Sequence, residues 1–403
     1  VPSIYNMKYL LLVLDGGGDR GENTPLQVAH KPNIDSLSAA GKNGLLDLGY
    51  KREVNSDVGY LTLLSCYSKD EYPGRGYIEV LGVNILPGKR DLCIRGNFAT
   101  LDSRGNIKDR RAGRDETGLK GLAEKLDGME IDGVGFTVIK STGHRVIIIA
   151  SGPSLSDSVR PNDPMKTGVP LPQVTARSPQ ARFTASVLNK FVYRANKVLS
   201  KEPVNRRREL PANTILFRNF GMKREAEGFE DRFGLKGCCV AGVNVAKGVA
   251  RFLGMDVIEV KGATGRPDTD LAGKREAAVR ALKKHDFVFL HINGTDVLAH
   301  DRNRAGKAEF IERIDKEMGK LLEHVNLEET CIVVTCDHRT VSLPFSKYRD
   351  YEHVRDPVPI VISGDGIKPD EVKTFNEYSV KRGSLKMSGT ELVPLLLMLT
   401  RKR

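Results

Sequence analysis

Residues 9–21 read YLLLVLDGGGDRG. The opening run is apolar or aromatic without alternation, as in a strand covered on both faces, and it stops at Asp15 before Gly16, Gly17 and Gly18. The same design recurs at 287–292, which reaches Asp296 through Asn293-Gly294-Thr295, and at 331–335, which ends at Cys336-Asp337-His338. A fourth run, 359–362, has the same character, and all four are expected to be parallel strands. Helical periodicities lie between them, at 273–284 (Ala277, Ala278, Ala281, Leu282) and 309–325 (Phe310, Ile314, Met318, Leu321, Leu322). This alternation predicts an α/β fold on a doubly wound, mostly parallel sheet.

Residues 81–175 break the pattern with short strand-like pieces at 136–139 and 145–150, many Gly and Asp turns, and a loop-rich stretch after Ser151. They read as a smaller α+β domain inserted into the α/β one, which then comprises 1–80 and 176–403, with a helix over 181–199 returning the chain. The composition agrees with a globular protein: of 403 residues, 40% are hydrophobic and 28% charged, which excludes long disorder and collagen-like repeats. The six cysteines include no CxxC pair, so a reduced, intracellular chain is expected. The apolar runs are strand-length, so no membrane helix is expected, and the N-terminus lacks the pattern of a secretory signal.

The formal charge of +12 raises the question of nucleic acid. Basic clusters are short, as at 110–111 and 206–208, and read as solvated surface; no zinc-finger spacing or aromatic RNA-binding pattern accompanies them. Such a field attracts anions, and a small anionic substrate explains it better than a polynucleotide.

In open α/β sheets a site forms beyond the carboxyl ends of the strands, so Asp15, Asp296 and Asp337 are candidates to converge there. Asp296-x3-His300 places two ligand types one helical turn apart, Asp337-His338 places two side by side, and His353 follows shortly. Mixed Asp and His donors suit Mn²⁺ or Zn²⁺ better than Mg²⁺ or Ca²⁺. Taken singly, each has a plainer explanation: Asp296 as a helix cap, Asp337 as a turn residue, His353 as a hydrogen-bonded structural histidine. Their shared position after strands is what points to a metal site.

Gly16–Gly21 also fits G-x-G-x-x-G, which would imply a dinucleotide. Against it, Asp15 and Asp19 would repel a pyrophosphate, and Thr24-Pro25 starts the next helix late. No acidic strand end follows at the required distance. Close backbone approach beside metal ions explains the same glycines. In Asn55-Ser56-Asp57, Ser56 reads first as a helix N-cap, and alternatively as a nucleophile activated by a metal; both readings stay open.

Asp15 in LDGGGDR, Ser56 in NSDVG, Asp296 and His300 in INGTDVLAHD, CDHRT at 336–340 and His353 before RDPVP together resemble the alkaline phosphatase superfamily. The closer likeness is to its archaeal-type, 2,3-bisphosphoglycerate-independent phosphoglycerate mutases. TPLQVAHKPNIDSL (24–37), YPGRGYIEVLGV (72–83), DRRAGR (109–114) and KGATGRPDTDLAGK (261–274) extend it over nearly the whole chain. Asn55 stands where that family usually has Gly, and Tyr60 where a His is common.

The resemblance implies an alkaline-phosphatase-like fold whose insert acts as a substrate-binding lid. It implies two divalent ions, one held by Asp296, His300 and His353, the other by Asp15, Ser56, Asp337 and His338. Mn²⁺ is the first choice, with Mg²⁺, Zn²⁺ or Co²⁺ as alternatives, and 2,3-bisphosphoglycerate is not required. Ser56 would carry the phosphoryl group transiently between 3-phosphoglycerate and 2-phosphoglycerate. Arg110, Arg111 and Arg114 resemble the substrate-gripping arginines of the family, and arginine's fork suits both carboxylate and phosphate. Asp163, in the polar turn 161–164, is the candidate general acid/base, with Asp157 behind it as a further substrate-binding residue. The alternative is a metal-dependent phosphatase or another phosphomutase of the superfamily, in which water or another acceptor takes the group. The expected partner is the phosphoglycerate in the cytoplasm, with neither nucleic acid nor membrane, and a homo-oligomer is left open.

Overall fold

A computed structural model describes residues 7–51, 54–343 and 353–400. Lys8–Leu14 forms a strand whose residues from Tyr9 onward are all buried, because it pairs in parallel with Phe287–Ile292 on one side and Thr330–Thr335 on the other. Leu14 lies beside Ile292 and Val13 beside Thr335, so the three chains leave the sheet at one level. That register, driven by burial of apolar side chains on both faces, delivers Asp15, Asp296 and Asp337 to one edge.

The sheet has eight strands, in the spatial order Asp256–Ile258, Gly237–Val240, Phe287–Ile292, Lys8–Leu14, Thr330–Thr335, Val358–Ser363, Lys42–Asp47 and Leu385–Ser388. Val358–Ser363 departs from expectation: it runs antiparallel to both neighbours. Its continuous apolar run reports cover on both faces, which a central antiparallel strand also has. Helices Leu271–Leu282 and Arg304–Leu322 occupy the two predicted helical segments. Each carries a fully buried lysine whose amine reaches the site's backbone. Lys274 Nζ donates to His291 O at 3.1 Å, and Lys307 Nζ donates to Gly18 O at 3.0 Å and Thr340 O at 3.1 Å.

The chain divides into two units, Val1–Lys69 with Ala226–Arg403, and Asp70–Glu225. The inserted unit is therefore wider than 81–175. Its sheet orders Thr214–Gly221, Leu92–Leu101, Arg145–Ser151, Val134–Lys140 and Met129–Ile131, all antiparallel. The helix Arg182–Leu199 buries Val187, Leu188, Phe191 and Ala195 in this unit's own core, with Phe136 and Phe217. It is a core helix of the insert rather than a return to the larger unit.

Arg208, expected as solvated surface, is only 8% exposed. Its guanidinium donates to the carbonyls of Ala112, Asp115, Thr117 and Leu210. This clamp spans a turn in which Ala112, Gly113 and Arg114 all have left-handed backbone, at φ 45°, 68° and 57°. Such a conformation persists only where its surroundings enforce it. All six cysteines are free and buried. Among the described residues, no helix is long and apolar enough to cross a membrane.

Candidate metal centre

Asp15 follows its strand directly, and the turn of Gly16 to Gly18 sends the chain away without filling the space beside it. Gly16 has φ +59°, and a Cβ there would lie 2.5 Å from Asp296 Oδ1 and from Thr340 Oγ1. Glycine is required on both counts. The N–H of Gly16 donates to Asp337 Oδ1 at 2.9 Å, so the glycine turn ties two strand ends together. Asp19 locks the far side: its carboxylate accepts from Ser342 N–H at 3.2 Å and lies 3.5 Å from Lys307 Nζ.

Asp296 sits in the first turn of the helix Gly294–His300, whose cap residue is Asn293, and His300 lies one turn on, 3.3 Å from Asp296 Oδ2. His353 Nε2 is 3.0 Å from His300 Nε2 and 3.5 Å from Asp296 Oδ1, and its ring stacks on that of His338 at 4.1 Å. Ser56 is not a cap. It is the first residue of the helix Ser56–Leu63, with Asn55 in the cap position and no side-chain capping bond. Its Oγ instead lies 3.4 Å from His338 Nε2.

His338 Nε2 also lies 3.5 Å from Asp15 Oδ1 and 3.3 Å from Asp337 Oδ2. Both carboxylate oxygens are buried without a hydrogen-bond partner. Thr340 decides what the imidazole offers them. Its hydroxyl donates to Asp296 Oδ1 at 2.7 Å, so at 3.0 Å its oxygen accepts from His338 Nδ1–H. His338 Nε2 then carries a lone pair, aimed at two carboxylate oxygens. Three electron-rich atoms facing one another in a buried space are costly unless a cation joins them.

The charge states carry the same signature. Burial, reinforced by the neighbouring His353, pushes His338 down to about 3, so it stays neutral. Burial and the facing Asp15 push Asp337 well above the usual carboxyl range. Burial opposes ionisation of Asp296 as well, but His300 and His353 outweigh it and hold that carboxyl well below its ordinary value. Burial would lower His353 too, yet its contact with Asp296 lifts it to about 9.

Donor atoms of Asp296, His338 and His353 lie within 4.8 Å of one another, as do those of Asp15, Asp337 and His338. The structure thus brings Asp15, Ser56, Asp296, His300, Asp337, His338 and His353 into one cluster, and the donor set of carboxylate oxygens and imidazole nitrogens fits divalent transition ions. His338 belongs geometrically to both groups.

The remaining candidates lie in the inserted unit. Arg110 makes a two-pronged pair with Asp163, Nε to Oδ1 at 2.7 Å and Nη2 to Oδ2 at 2.8 Å, and Arg218 Nε stands 3.5 Å away. Burial would raise Asp163, but hydrogen bonds from Arg110 and Met165 N–H and the two guanidinium charges hold it below its ordinary value. Asp157 engages a different partner, Arg224, at 2.8 Å. Arg111 N–H and Gly113 N–H both donate to Asp109 Oδ1, which shapes the turn ending in the exposed Arg114. Sequence reasoning missed Thr340 and His291, and read Tyr60 only as a departure. A histidine inside the apolar run 287–292 was the available signal.

Comparison with known proteins places these features in a family. The Metalloenzyme superfamily model matches residues 7–399. The 2,3-bisphosphoglycerate-independent phosphoglycerate mutase of Methanococcus aeolicus is 40% identical over 409 residues, covering 98% of each chain. That of Methanopyrus kandleri is 41% identical, covering 96% of this chain and 95% of its own. Among solved structures, the cofactor-independent phosphoglycerate mutase of Thermoplasma acidophilum matches with a TM-score of 0.68 at 34% identity, covering 98% of this chain and 100% of that one.

Proposed function

Since the chain belongs to the 2,3-bisphosphoglycerate-independent phosphoglycerate mutases of the Metalloenzyme superfamily, we propose that it interconverts 3-phosphoglycerate and 2-phosphoglycerate by passing the phosphoryl group through Ser56. The observation that carries this reading is the place of Ser56 Oγ, 3.4 Å from His338 Nε2, the nitrogen that also faces the unpartnered oxygens of Asp15 and Asp337. A hydroxyl freed from capping and set among metal donors is a nucleophile in waiting.

Asp15, Ser56, Asp337 and His338 would hold one divalent ion, and Asp296, His300 and His353 the other, with Mn²⁺ preferred for this mixed donor set. Two such ions supply positive charge to the oxygens that enter and leave during in-line phosphoryl transfer. Ser56 presents its Oγ from a helix N-terminus, where backbone N–H groups favour a phosphate. Thr340 keeps His338 in one tautomer by accepting from Nδ1–H. Arg110, Arg111 and Arg114 would bind the carboxylate and phosphate of the substrate. Ionised, held below its ordinary value and with both oxygens on Arg110, Asp163 is better suited to orient that arginine than to take a hydroxyl proton; Asp157 would support Arg224 in the same unit. The reading expects a cytoplasmic enzyme of glycolysis and gluconeogenesis.

The test is a coupled assay on chelator-treated protein with Mn²⁺ restored, reading 2-phosphoglycerate and free phosphate together. Isomer formation without matching phosphate release is expected, and Ser56→Ala should lower turnover by ~10³-fold or more with the fold intact. Stoichiometric phosphate release would mark a phosphatase. An active Ser56→Ala protein would overturn the phosphoserine route.

A further inference from the structure

Asp15 is gripped by one oxygen only. Tyr60 Oη donates to Oδ2 at 2.5 Å, and His291 Nε2 lies 2.7 Å from that hydroxyl and 3.1 Å from the same Oδ2. Tyr60 and His291 are both 0% exposed. Their rings meet edge-on at 4.9 Å, and Phe289 packs against Tyr60 at 5.7 Å and His291 at 5.9 Å.

The protons can be assigned from the contacts. The single phenolic proton goes to Asp15, so His291 must offer Nε2–H to the phenolic oxygen and the carboxylate. Nδ1, buried without a hydrogen-bond partner, keeps the lone pair. Oδ2 therefore faces two donor groups while Oδ1 has none and faces His338.

We propose that Tyr60 and His291 are positioning residues that hold Asp15 by Oδ2 and thereby reserve Oδ1 for a cation shared with Asp337, His338 and Ser56. This rests on the metal reading above and goes beyond it by assigning two residues that are not ligands. A carboxylate free to turn about Cβ–Cγ would offer either oxygen or both, and its fixed monodentate geometry would be lost. Groups that orient metal ligands in this way are typically worth 10–100-fold in metal affinity.

The latch is built into the elements that carry the site. His291 pairs in register with Val13, two residues before Asp15, and its carbonyl accepts from buried Lys274. Tyr60 lies one turn after Ser56 on the same helix. One helix thus sets both the serine and the carboxylate that would share its ion.

Mn²⁺ titration of the metal-free 403-residue chain, by calorimetry and electron paramagnetic resonance, tests this without an activity readout. Tyr60→Phe removes only the hydroxyl and keeps the ring packing. It should weaken one of two Mn²⁺ affinities about 10–100-fold and leave the other unchanged. His291→Gln, which can still donate, should lose less than His291→Leu. In an Asp15→Ala background, Tyr60→Phe should change Mn²⁺ binding no further, an outcome that a general loss of structure would not give. Wild-type uptake of two ions with an unaffected Tyr60→Phe would overturn the latch alone, as would a further loss in the Asp15→Ala background. A wild-type chain that binds no Mn²⁺ would overturn the metal reading and the latch with it.

Discussion

Asp163 in the inserted unit and Asp337 in the sheet unit are both carboxylates with fully buried side chains. The fold completes one and leaves the other open. Asp163 has both oxygens on the fork of Arg110, with Arg218 nearby. Asp337 has one oxygen on Gly16 N–H, while the other faces Asp15 and a histidine lone pair without a partner. A buried anion with a matched counter-charge is a structural part. A buried anion with an orphaned oxygen marks where a cation belongs.

Several measurements would break or sharpen this contrast. The largest effect is expected at the finished pair. Asp163→Asn strands the Arg110 guanidinium, whose side chain is 13% exposed, and should cost about 3–5 kcal/mol by chemical denaturation. A cost below about 1 kcal/mol would mean that the pair does not hold the insert together.

Next comes the open cluster. Divalent ion at a hundredfold excess over its Kd should raise stability by about 2.7 kcal/mol per site. Asp337→Asn should remove one such increment, yet in metal-free protein it should be neutral or stabilising by up to about 1 kcal/mol, because it replaces a carboxyl that burial and the facing Asp15 make costly to ionise. Equal destabilisation with and without metal would contradict the open-site reading.

Read per pH unit, the smallest effect concerns His144 of the inserted unit. Burial, helped by Arg145, Arg111, Arg95 and Arg114, pushes its pKa down to about 3. The native state thus refuses a proton that the unfolded chain accepts below about 6.5. Stability should be full above that pH and fall as pH drops toward 3, by at most about 1.4 kcal/mol per pH unit from this residue. His144→Asn should flatten that slope, and an unchanged slope would show that His144 is not held below its ordinary value in the native state.

Much of the site was legible before any coordinates. Asp15, Asp296 and Asp337 announced themselves as carboxylates ending apolar runs, and parallel register brings such ends together wherever strands are covered on both faces. Ser56 was readable only as two alternatives. The cap reading fell because Asn55 takes the cap position, one residue earlier than sequence preference suggests. The direction of Val358–Ser363 was not legible, since burial on both faces looks alike in either orientation. The extent of the insert was missed for a related reason: an amphipathic helix such as Arg182–Leu199 states that it packs, not against which sheet.

What the sequence determined by itself is the fold class and the attachment of Asp15, Asp296 and Asp337 to the ends of apolar strands. These follow from local hydrophobic pattern and chain order. Tertiary structure alone decided which oxygen of each carboxylate is spent and which is free. Thr340, Tyr60 and His291 make those choices from 44 to 276 residues away from their targets. Hydrogen bonds act over about 3 Å in space and carry no trace in chain order, so pairing of this kind is invisible until the chain has folded.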